Sequence, residues 1–249
     1  FGFHRATRQV RSRDEFGHSG ENVILARRDG NQARDLADGA HGFNPADAIE
    51  SHETIQELRE MAPLQLEIID TIRHELDDDA IMVAGTTQIG YWSYVAYPAL
   101  KPRSYITSSY FATLGYAFPT ALGAKVGNPH RQVVATIGDG GFGYAPGELA
   151  TAVQEEINAV TIVFNNQLLG ASFNDQKTRF GGRTIGTRLH NPDFVKLAEA
   201  YGARGIRAHG PDELEASLKE ALAIEAPTLI EVPVGMMPSP FERGLGNPR

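Results

Sequence analysis

The chain has 249 residues, of which 41% are hydrophobic and 22% are charged, a composition typical of a globular protein with a sizeable core. Its formal charge of −8 argues against nucleic acid or an anionic membrane surface as a partner. The absence of cysteine excludes disulfides and thiolate metal sites, and the short apolar runs predict neither a secretory signal nor a membrane span. We expect a cytoplasmic protein by default.

The N-terminal segment, residues 1–45, is polar, rich in arginine and glycine, and without a steady hydrophobic period. Several turn signals fall together in "RRDGNQARDLADGAHGFNP", which predicts a linker or flexible arm. We expect the folded domain to occupy residues 46–240 and a tail to occupy residues 241–249.

Two helical patterns begin the domain. "PADAIESHETIQELREMA" has an amphipathic face, and "PLQLEIIDTIRHELDDD" carries apolar residues near helical spacing. The apolar positions of this second helix are Leu64, Leu66, Ile68, Ile69, Ile72 and Leu76.

Short apolar runs then alternate with further helical patterns. The predicted strands are "AIMVAG", "RQVVATIGDG", "NAVTIVFNN", "ARGIRA" and "PTLIEVPV". The predicted helices are "TLGYAFPTALGAKVGNP", "APGELATAVQEEI", "NPDFVKLAEAYG" and "GPDELEASLKEALAIEA". In the third of these helices, Asn191 is the expected N-cap, Pro192 the first helical residue and Gly202 the C-terminal end. Apolar strands alternating with helices predict an α/β fold, with a parallel sheet covered by helices on both faces.

Three segments end predicted strands with polar or glycine residues: "GTTQ" (85–88), "GDGG" (138–141) and "NNQLLG" (165–170). Ligands of parallel sheets bind at the carboxyl ends of the strands, so these segments are the candidate site. A tight strand-to-helix turn also needs glycine, so any one of them alone is equally consistent with a structural role.

The glycine loop "GDGGFG" permits two interpretations. Its glycines fit the dinucleotide fingerprint, but the next strand should then end in an acidic residue that binds the ribose. That strand ends instead in Asn165 and Asn166, and Asp139 would repel a pyrophosphate unless a cation lay between them. Mg²⁺ prefers about six oxygen ligands, and Asp139 and Asn166 return to the same sheet edge after one crossover. The second interpretation is therefore a magnesium-bound diphosphate.

At this point the residues resemble a known family. "GDGGFGYAPGELATAVQEEINAVTIVFNN" resembles the GDG…NN signature of thiamine-diphosphate-dependent enzymes. "YITSSYFATLGYAFPTALGAKVGNP" and the region from "NPDFVKLAEAYG" to "PTLIEVPV" resemble adjoining segments of the acetolactate synthase, pyruvate oxidase and benzoylformate decarboxylase group. The resemblance covers roughly residues 62–240 and implies the diphosphate-binding (PP) module of that fold.

The resemblance also implies roles for individual residues. The metal ligands would be Asp139, Asn166 and the backbone carbonyl of Leu168. The diphosphate would contact Thr86, Thr87, Gln88, Gly138, Gly140, Gly141, Phe142 and Gly170, through backbone N–H groups at 140–142. Ala112 and Leu114 would hold the aminopyrimidine through backbone groups, with the Leu114 side chain beneath the thiazolium. Many relatives carry glycine, and methionine or isoleucine, at these last two positions.

The implied reaction is decarboxylation of a 2-oxo acid, followed by protonation, oxidation or addition to a second carbonyl. The family also needs a glutamate from a separate pyrimidine-binding domain, and about 60 residues before the matched region are too few for that domain. We therefore expect either the C-terminal part of a longer enzyme or one subunit of a heteromer, and at least a dimer.

Other residues carry weaker expectations. In the predicted loop "QLLGASFNDQKTRFGG", Asn174, Gln176 and Lys177 could reach a substrate, although a solvated mobile loop is equally consistent. Tyr91 and Trp92 are expected in the core, His190 at the surface or a cap, and "MMPSPF" in a docked tail. Two alternative functions stay open, namely a non-catalytic cofactor-binding or docking module and a nicotinamide-dependent dehydrogenase.

Overall fold

The computed structural model describes residues 56–108 and 111–240, and these residues form one parallel sheet with helices on both faces. The six strands are β1 Ile81–Ala84, β2 Tyr105–Thr107, β3 Val133–Gly138, β4 Val160–Asn165, β5 Arg204–Arg207 and β6 Thr228–Pro233. Their order across the sheet is β2-β1-β3-β4-β6-β5, and every pairing is parallel. The expected flexible arm at 1–45 and tail at 241–249 lie outside the described residues.

Helices lie between successive strands, as parallel pairing requires, and helical residues also precede the first strand. They are α1 Pro63–Glu75, α2 Gln88–Ala96, α3 Ala117–Gly127, α4 Asp139–Phe142, α5 Glu148–Gln154, α6 Gly170–Arg179, α7 Phe194–Tyr201 and α8 Pro211–Ala223. Residues 56–61 are also helical and lead into α1, whereas the first part of the predicted helix at 45–62 lies outside the described residues. Within the described part of the chain, no helix is both long and apolar enough to cross a membrane.

The core is divided by the sheet into two layers. Successive side chains of a strand point to opposite faces, so Val134 packs in one layer and Ala135 in the other. Helices α1, α2 and α8 cover the first face, and α3, α5 and α7 cover the second. All six residues of β3 are buried, which explains why its sequence reads as a continuous apolar run.

The buried stripe of α1 is narrower than the sequence predicts. Leu66, Ile69 and Ile72 are at most 1% exposed, but Leu64 is 44% exposed. The helical period places Leu64 outside the stripe that these residues define, so it is the one exposed residue among the six apolar positions named from the sequence.

The start of α7 also differs from the prediction. Asp193, not Asn191, is the N-cap, and its carboxylate accepts a hydrogen bond from the Lys196 backbone amide at 3.3 Å. Pro192 therefore lies outside the helix. The predicted C-terminal end is confirmed, because Gly202 adopts a left-handed φ of 88°.

The edge strand β2, the short helix α4 and the helix α6 were not predicted as such. The edge strand β2 has three half-buried residues, too few for a periodic pattern to stand out. The segment 170–179, expected to be a loop, forms α6, which buries none of its residues and so lacks an apolar stripe.

The two leucines of α1 provide a matched test of this packing. We expect Leu66→Ala to lower the free energy of unfolding by about 2–5 kcal/mol, because it leaves a cavity in the first layer. Leu64→Ala should change it by less than about 1 kcal/mol, because Leu64 is 44% exposed and lies outside the buried stripe. Urea unfolding of both variants measures the difference, and equal losses would contradict the assigned stripe.

Candidate cofactor site

A cavity of about 330 Å³ lies at the carboxyl ends of β1, β3 and β4, which are neighbours in the sheet. All the cofactor-binding residues predicted from the sequence line it except Phe142, namely Thr86, Thr87, Gln88, Ala112, Leu114, Gly138, Asp139, Gly140, Gly141, Asn166, Leu168 and Gly170. The three strand-end segments converge because parallel strands present their carboxyl ends at one edge.

Asp139 follows β3 directly and is only 3% exposed. Burial raises the pKa of its carboxyl group, while hydrogen bonds from the Asn191 side chain and the backbone of Gly140 and Gln167 lower it. The Asn191 amide donates to Asp139 Oδ2 at 2.6 Å. None of the described groups that act on this pKa carries a positive charge. A carboxylate so placed suits a cation that enters from the cavity.

Asn166 stands across the same cavity, in a loop that we call the asparagine loop (residues 165–169). Its Oδ1 accepts a hydrogen bond from the Leu168 backbone amide at 3.0 Å, and its Nδ2 donates to Gln88 Oε1 at 3.0 Å. An amide oxygen has two lone pairs, so Oδ1 can still accept a metal ion while it holds this turn. The carboxamide is thus oriented before any ligand binds.

The asparagine loop is fixed by backbone pairing with residues 187–189. The Leu169 amide donates to Thr187 O and the Leu189 amide donates to Gln167 O, both at 2.8 Å. Gln167 adopts φ of 58°, an uncommon conformation for a residue other than glycine. Such backbone conformations persist where the surrounding structure imposes them, and they occur often at functional sites.

The glycine loop packs so closely against its neighbours that a side chain would not fit at two of its glycines. A Cβ atom on Gly140 would lie 2.6 Å from Leu169 Cδ2, and one on Gly138 would lie 3.2 Å from Thr87 Oγ1. Thr86 Oγ1 is buried without a hydrogen-bond partner among the described residues, although it belongs to a cavity-lining residue. Buried hydroxyls are normally paired, so this group is suited to bind an acceptor such as a phosphate oxygen. The residues present therefore fit a diphosphate with its metal ion.

Two of the predicted residues, Phe142 and Ala112, need separate description. The Phe142 side chain is fully buried in the second layer, where its ring lies 5.4 Å from that of Phe118 and 5.6 Å from that of Phe194. Its expected role involves only the backbone and stays a prediction. Ala112 has φ of 47°, a left-handed backbone conformation that favours glycine.

A second groove of about 740 Å³ adjoins the cavity and shares Gln88, Tyr91 and Ala112 with it. Of the residues expected to reach a substrate, Asn174 lines this groove, whereas Gln176 and Lys177 are not among its lining residues. The Gln176 side chain instead exchanges hydrogen bonds with the Ile185 backbone at 3.1 and 2.8 Å.

The segment after β6 closes one side of the cavity, which confirms a docked tail as far as residue 240. Gln88 Nε2 donates to Met237 O at 2.7 Å, and Trp92 Nε1 donates to Pro238 O at 2.8 Å. Trp92 is in the core as predicted, but Tyr91 is half-buried and lines the cavity. His190 is exposed, as expected.

Besides Tyr91, the sequence pattern does not reveal the contacts of Asn191. The sequence predicts Asn191 as a helix cap because it precedes a proline and an amphipathic pattern, but its side chain contacts Asp139 and Asn165. A local motif cannot reveal this contact, since the partners lie 52 and 26 residues away in the chain.

Comparison with known proteins places these observations in a family. Residues 84–232 match the model of the thiamine pyrophosphate enzyme C-terminal TPP binding domain. The chain is 36% identical over 171 residues to a probable acetolactate synthase large subunit of Methanocaldococcus jannaschii, which covers 67% of this chain and 28% of the relative. It is 37% identical over 175 residues to a probable 2-ketoarginine decarboxylase of Pseudomonas aeruginosa, which covers 69% of this chain and 31% of the relative.

A solved structure, the thiamine diphosphate-dependent 4-hydroxybenzoylformate decarboxylase of Rhodococcus jostii RHA1, superposes with a TM-score of 0.64 at 34% identity. The match covers 69% of this chain and 32% of that one, and it confirms the predicted fold class. The chain thus spans about a third or less of the length of these relatives. Residues 84–232, which match the family model, include every strand end that forms the cavity. The chain therefore belongs to the thiamine-diphosphate-dependent enzymes and contains their C-terminal cofactor-binding domain.

Proposed function

We propose that this chain is the diphosphate-binding module of an enzyme of acetolactate-synthase type, which requires thiamine diphosphate and Mg²⁺ and acts on 2-oxo acids by decarboxylation and carboligation. The observation that carries the proposal is the buried Asp139 carboxylate, which lines the cavity with Asn166 and has no positively charged neighbour among the described groups that set its pKa.

In this proposal each part of the cavity binds one part of the cofactor. Asp139, the Asn166 side chain and the Leu168 carbonyl hold Mg²⁺ against the diphosphate. The diphosphate contacts the residues at the ends of β1 and β3, namely Thr86, Thr87, Gln88, Gly138, Gly140, Gly141 and Phe142, together with Gly170. Ala112 and Leu114 hold the aminopyrimidine. When bound, thiamine diphosphate supplies the carbon nucleophile and the electron sink for loss of CO₂.

The chain's own residues bind and orient the cofactor but do not complete the catalytic site. Among the described residues that line the cavity, Asp139 is the one carboxylate, and its proposed role is metal binding. The activating glutamate must then come from a pyrimidine-binding domain, either elsewhere in the same polypeptide or in a partner chain. The adjoining groove, with Tyr91 and Asn174 in its wall, is where we place the 2-oxo acid.

The names of the relatives support the reaction class. They comprise an acetolactate synthase and two decarboxylases whose substrates, 2-ketoarginine and 4-hydroxybenzoylformate, are both 2-oxo acids. The dehydrogenase alternative is not proposed, because β4 ends in Asn165 and is followed by Asn166, where a nicotinamide fold needs an acidic residue. A non-catalytic cofactor-binding module stays the second candidate, because the described site lacks a glutamate.

The metal ligand provides the first test. We expect Asp139→Ala to weaken magnesium-dependent binding of thiamine diphosphate by at least about 100-fold, because the cation loses its carboxylate. Isothermal titration calorimetry on the complete protein, with and without chelator, measures the effect. Asp78→Ala is the matched control, since Asp78 is exposed before β1 at the opposite edge of the sheet. Chelator-insensitive binding by the unmodified protein would refute the magnesium site.

A glycine pair tests the close approach of backbone and cofactor. Gly140→Ala places a methyl group against Leu169 and should weaken cofactor binding roughly tenfold, because that side chain must move within the cavity wall. Gly147→Ala has no neighbour within 4 Å of its Cβ position and should bind normally. Equal affinities of the two variants would show that Leu169 can move without disturbing the cofactor site.

Activity separates the two candidate functions. With thiamine diphosphate and Mg²⁺, the complete protein, paired with its glutamate-bearing domain, should release CO₂ from a panel of 2-oxo acids. Addition of a chelator should abolish that release. Cofactor binding without CO₂ release from any member of the panel would favour the non-catalytic module.

A further inference from the structure

The Asn191 side chain joins the two loops that carry the proposed metal ligands. Its Nδ2 group donates to Asp139 Oδ2 at 2.6 Å and to Asn165 Oδ1 at 2.9 Å. An amide group has two protons, so these two bonds use its full donor capacity. Asp139 follows β3 and Asn165 ends β4, so one side chain ties the ends of adjacent strands together.

Asn165 is itself held from the other side. Its Nδ2 donates to Glu231 Oε1 at 2.7 Å, and its Oδ1 also accepts a hydrogen bond from the Gln167 amide at 3.2 Å. Asn165 directly precedes the proposed ligand Asn166. A displacement of the Asn165 side chain would therefore also displace the asparagine loop.

Glu231 lies on β6 and is only 4% exposed. Arg207 on β5 donates to Glu231 Oε2 through Nε at 3.0 Å and through Nη2 at 2.8 Å. The same guanidinium donates to Asp193 Oδ1 at 2.8 Å, and Asp193 is the N-cap of α7 two residues after Asn191. These hydrogen bonds form a polar network that begins and ends in the segment 191–193. Its members are Asn191, Asn165, Glu231, Arg207 and Asp193.

The polar network restricts both the backbone and the side chain of Asn191. The backbone is fixed by the capped start of α7 and its ion pair, and the side chain is fixed by Asn165. The short bond to Asp139 then sets the direction of that carboxylate. Mg²⁺ demands near-ideal octahedral geometry, whereas Ca²⁺ tolerates flexible coordination, so the direction of a ligand carboxylate matters more for Mg²⁺.

We propose that Asn191 is a positioning residue for the metal site, which orients the Asp139 carboxylate and thereby favours Mg²⁺ over Ca²⁺. The proposal rests on the proposed function, because it assumes that Asp139 is a metal ligand. Asn191 does not itself touch the cation; it acts through Asp139, and the polar network keeps it in place.

The test compares Asn191→Ala and Asn191→Leu with the unmodified complete protein. Leucine keeps about the size of asparagine but donates no hydrogen bond, so it separates the lost bonds from a cavity. The control is Asn128→Ala, because Asn128 caps the end of α3 and its amide donates to Ala124 O, away from the cavity. Calorimetry measures the Mg²⁺ and the Ca²⁺ needed for half-maximal binding of thiamine diphosphate, and inorganic diphosphate serves as a second probe.

We expect both Asn191 variants to need about tenfold more Mg²⁺, as a lost charge-assisted hydrogen bond implies, while the Ca²⁺ requirement rises less than about threefold. The control should match the unmodified protein in both metals. Simple destabilisation of the fold would raise both requirements together, so the ratio between the metals identifies a positioning role.

An unchanged ratio of the two metal requirements in both Asn191 variants would overturn this inference while leaving the proposed function intact. Failure of the unmodified protein to bind thiamine diphosphate with either metal would overturn both. Inorganic diphosphate distinguishes a fault in the metal site from one in the aminopyrimidine contacts, because it lacks that ring.

Discussion

A carboxylate buried at the end of a strand constrains the rest of this structure. Asp139 is 3% exposed, and an isolated charge in such surroundings is costly unless hydrogen bonds or a cation compensate for the lost water. The structure surrounds it with an amide side chain and backbone hydrogen bonds, which compensate in part. A cation at the cavity would supply the remainder, and this requirement links the fold to the proposed chemistry.

The parallel sheet makes that arrangement possible. Residues that are far apart in sequence meet because every strand delivers its carboxyl end to the same edge. β1, β3 and β4 are adjacent, and they bring Thr86, Asp139 and Asn166 to one cavity. β6 pairs with β4, and β5 pairs with β6 at the edge of the sheet. Glu231 on β6 therefore accepts a hydrogen bond from Asn165 in the asparagine loop, and Arg207 on β5 in turn binds Glu231.

Backbone conformation also shapes the site. Ala112 and Gln167 both adopt positive φ in segments that line or adjoin the cavity. Such conformations are unfavourable for residues with a Cβ atom and require support from their surroundings. For Gln167 that support comes from pairing with residues 187–189, a segment with no recognisable motif of its own.

The sequence by itself determined the fold class, the main strands and the identity of the strand-end residues. Apolar runs such as "VVATIG" and the spacing of the GDG and NN segments are local or follow from one crossover, so pattern and resemblance suffice to predict them. Only the tertiary structure decided that Leu64 is exposed, that residues 170–179 form a helix and that Asn191 contacts Asp139 rather than capping α7. These features depend on tertiary packing, and side-chain contacts between residues tens of positions apart leave no periodic signal in the chain.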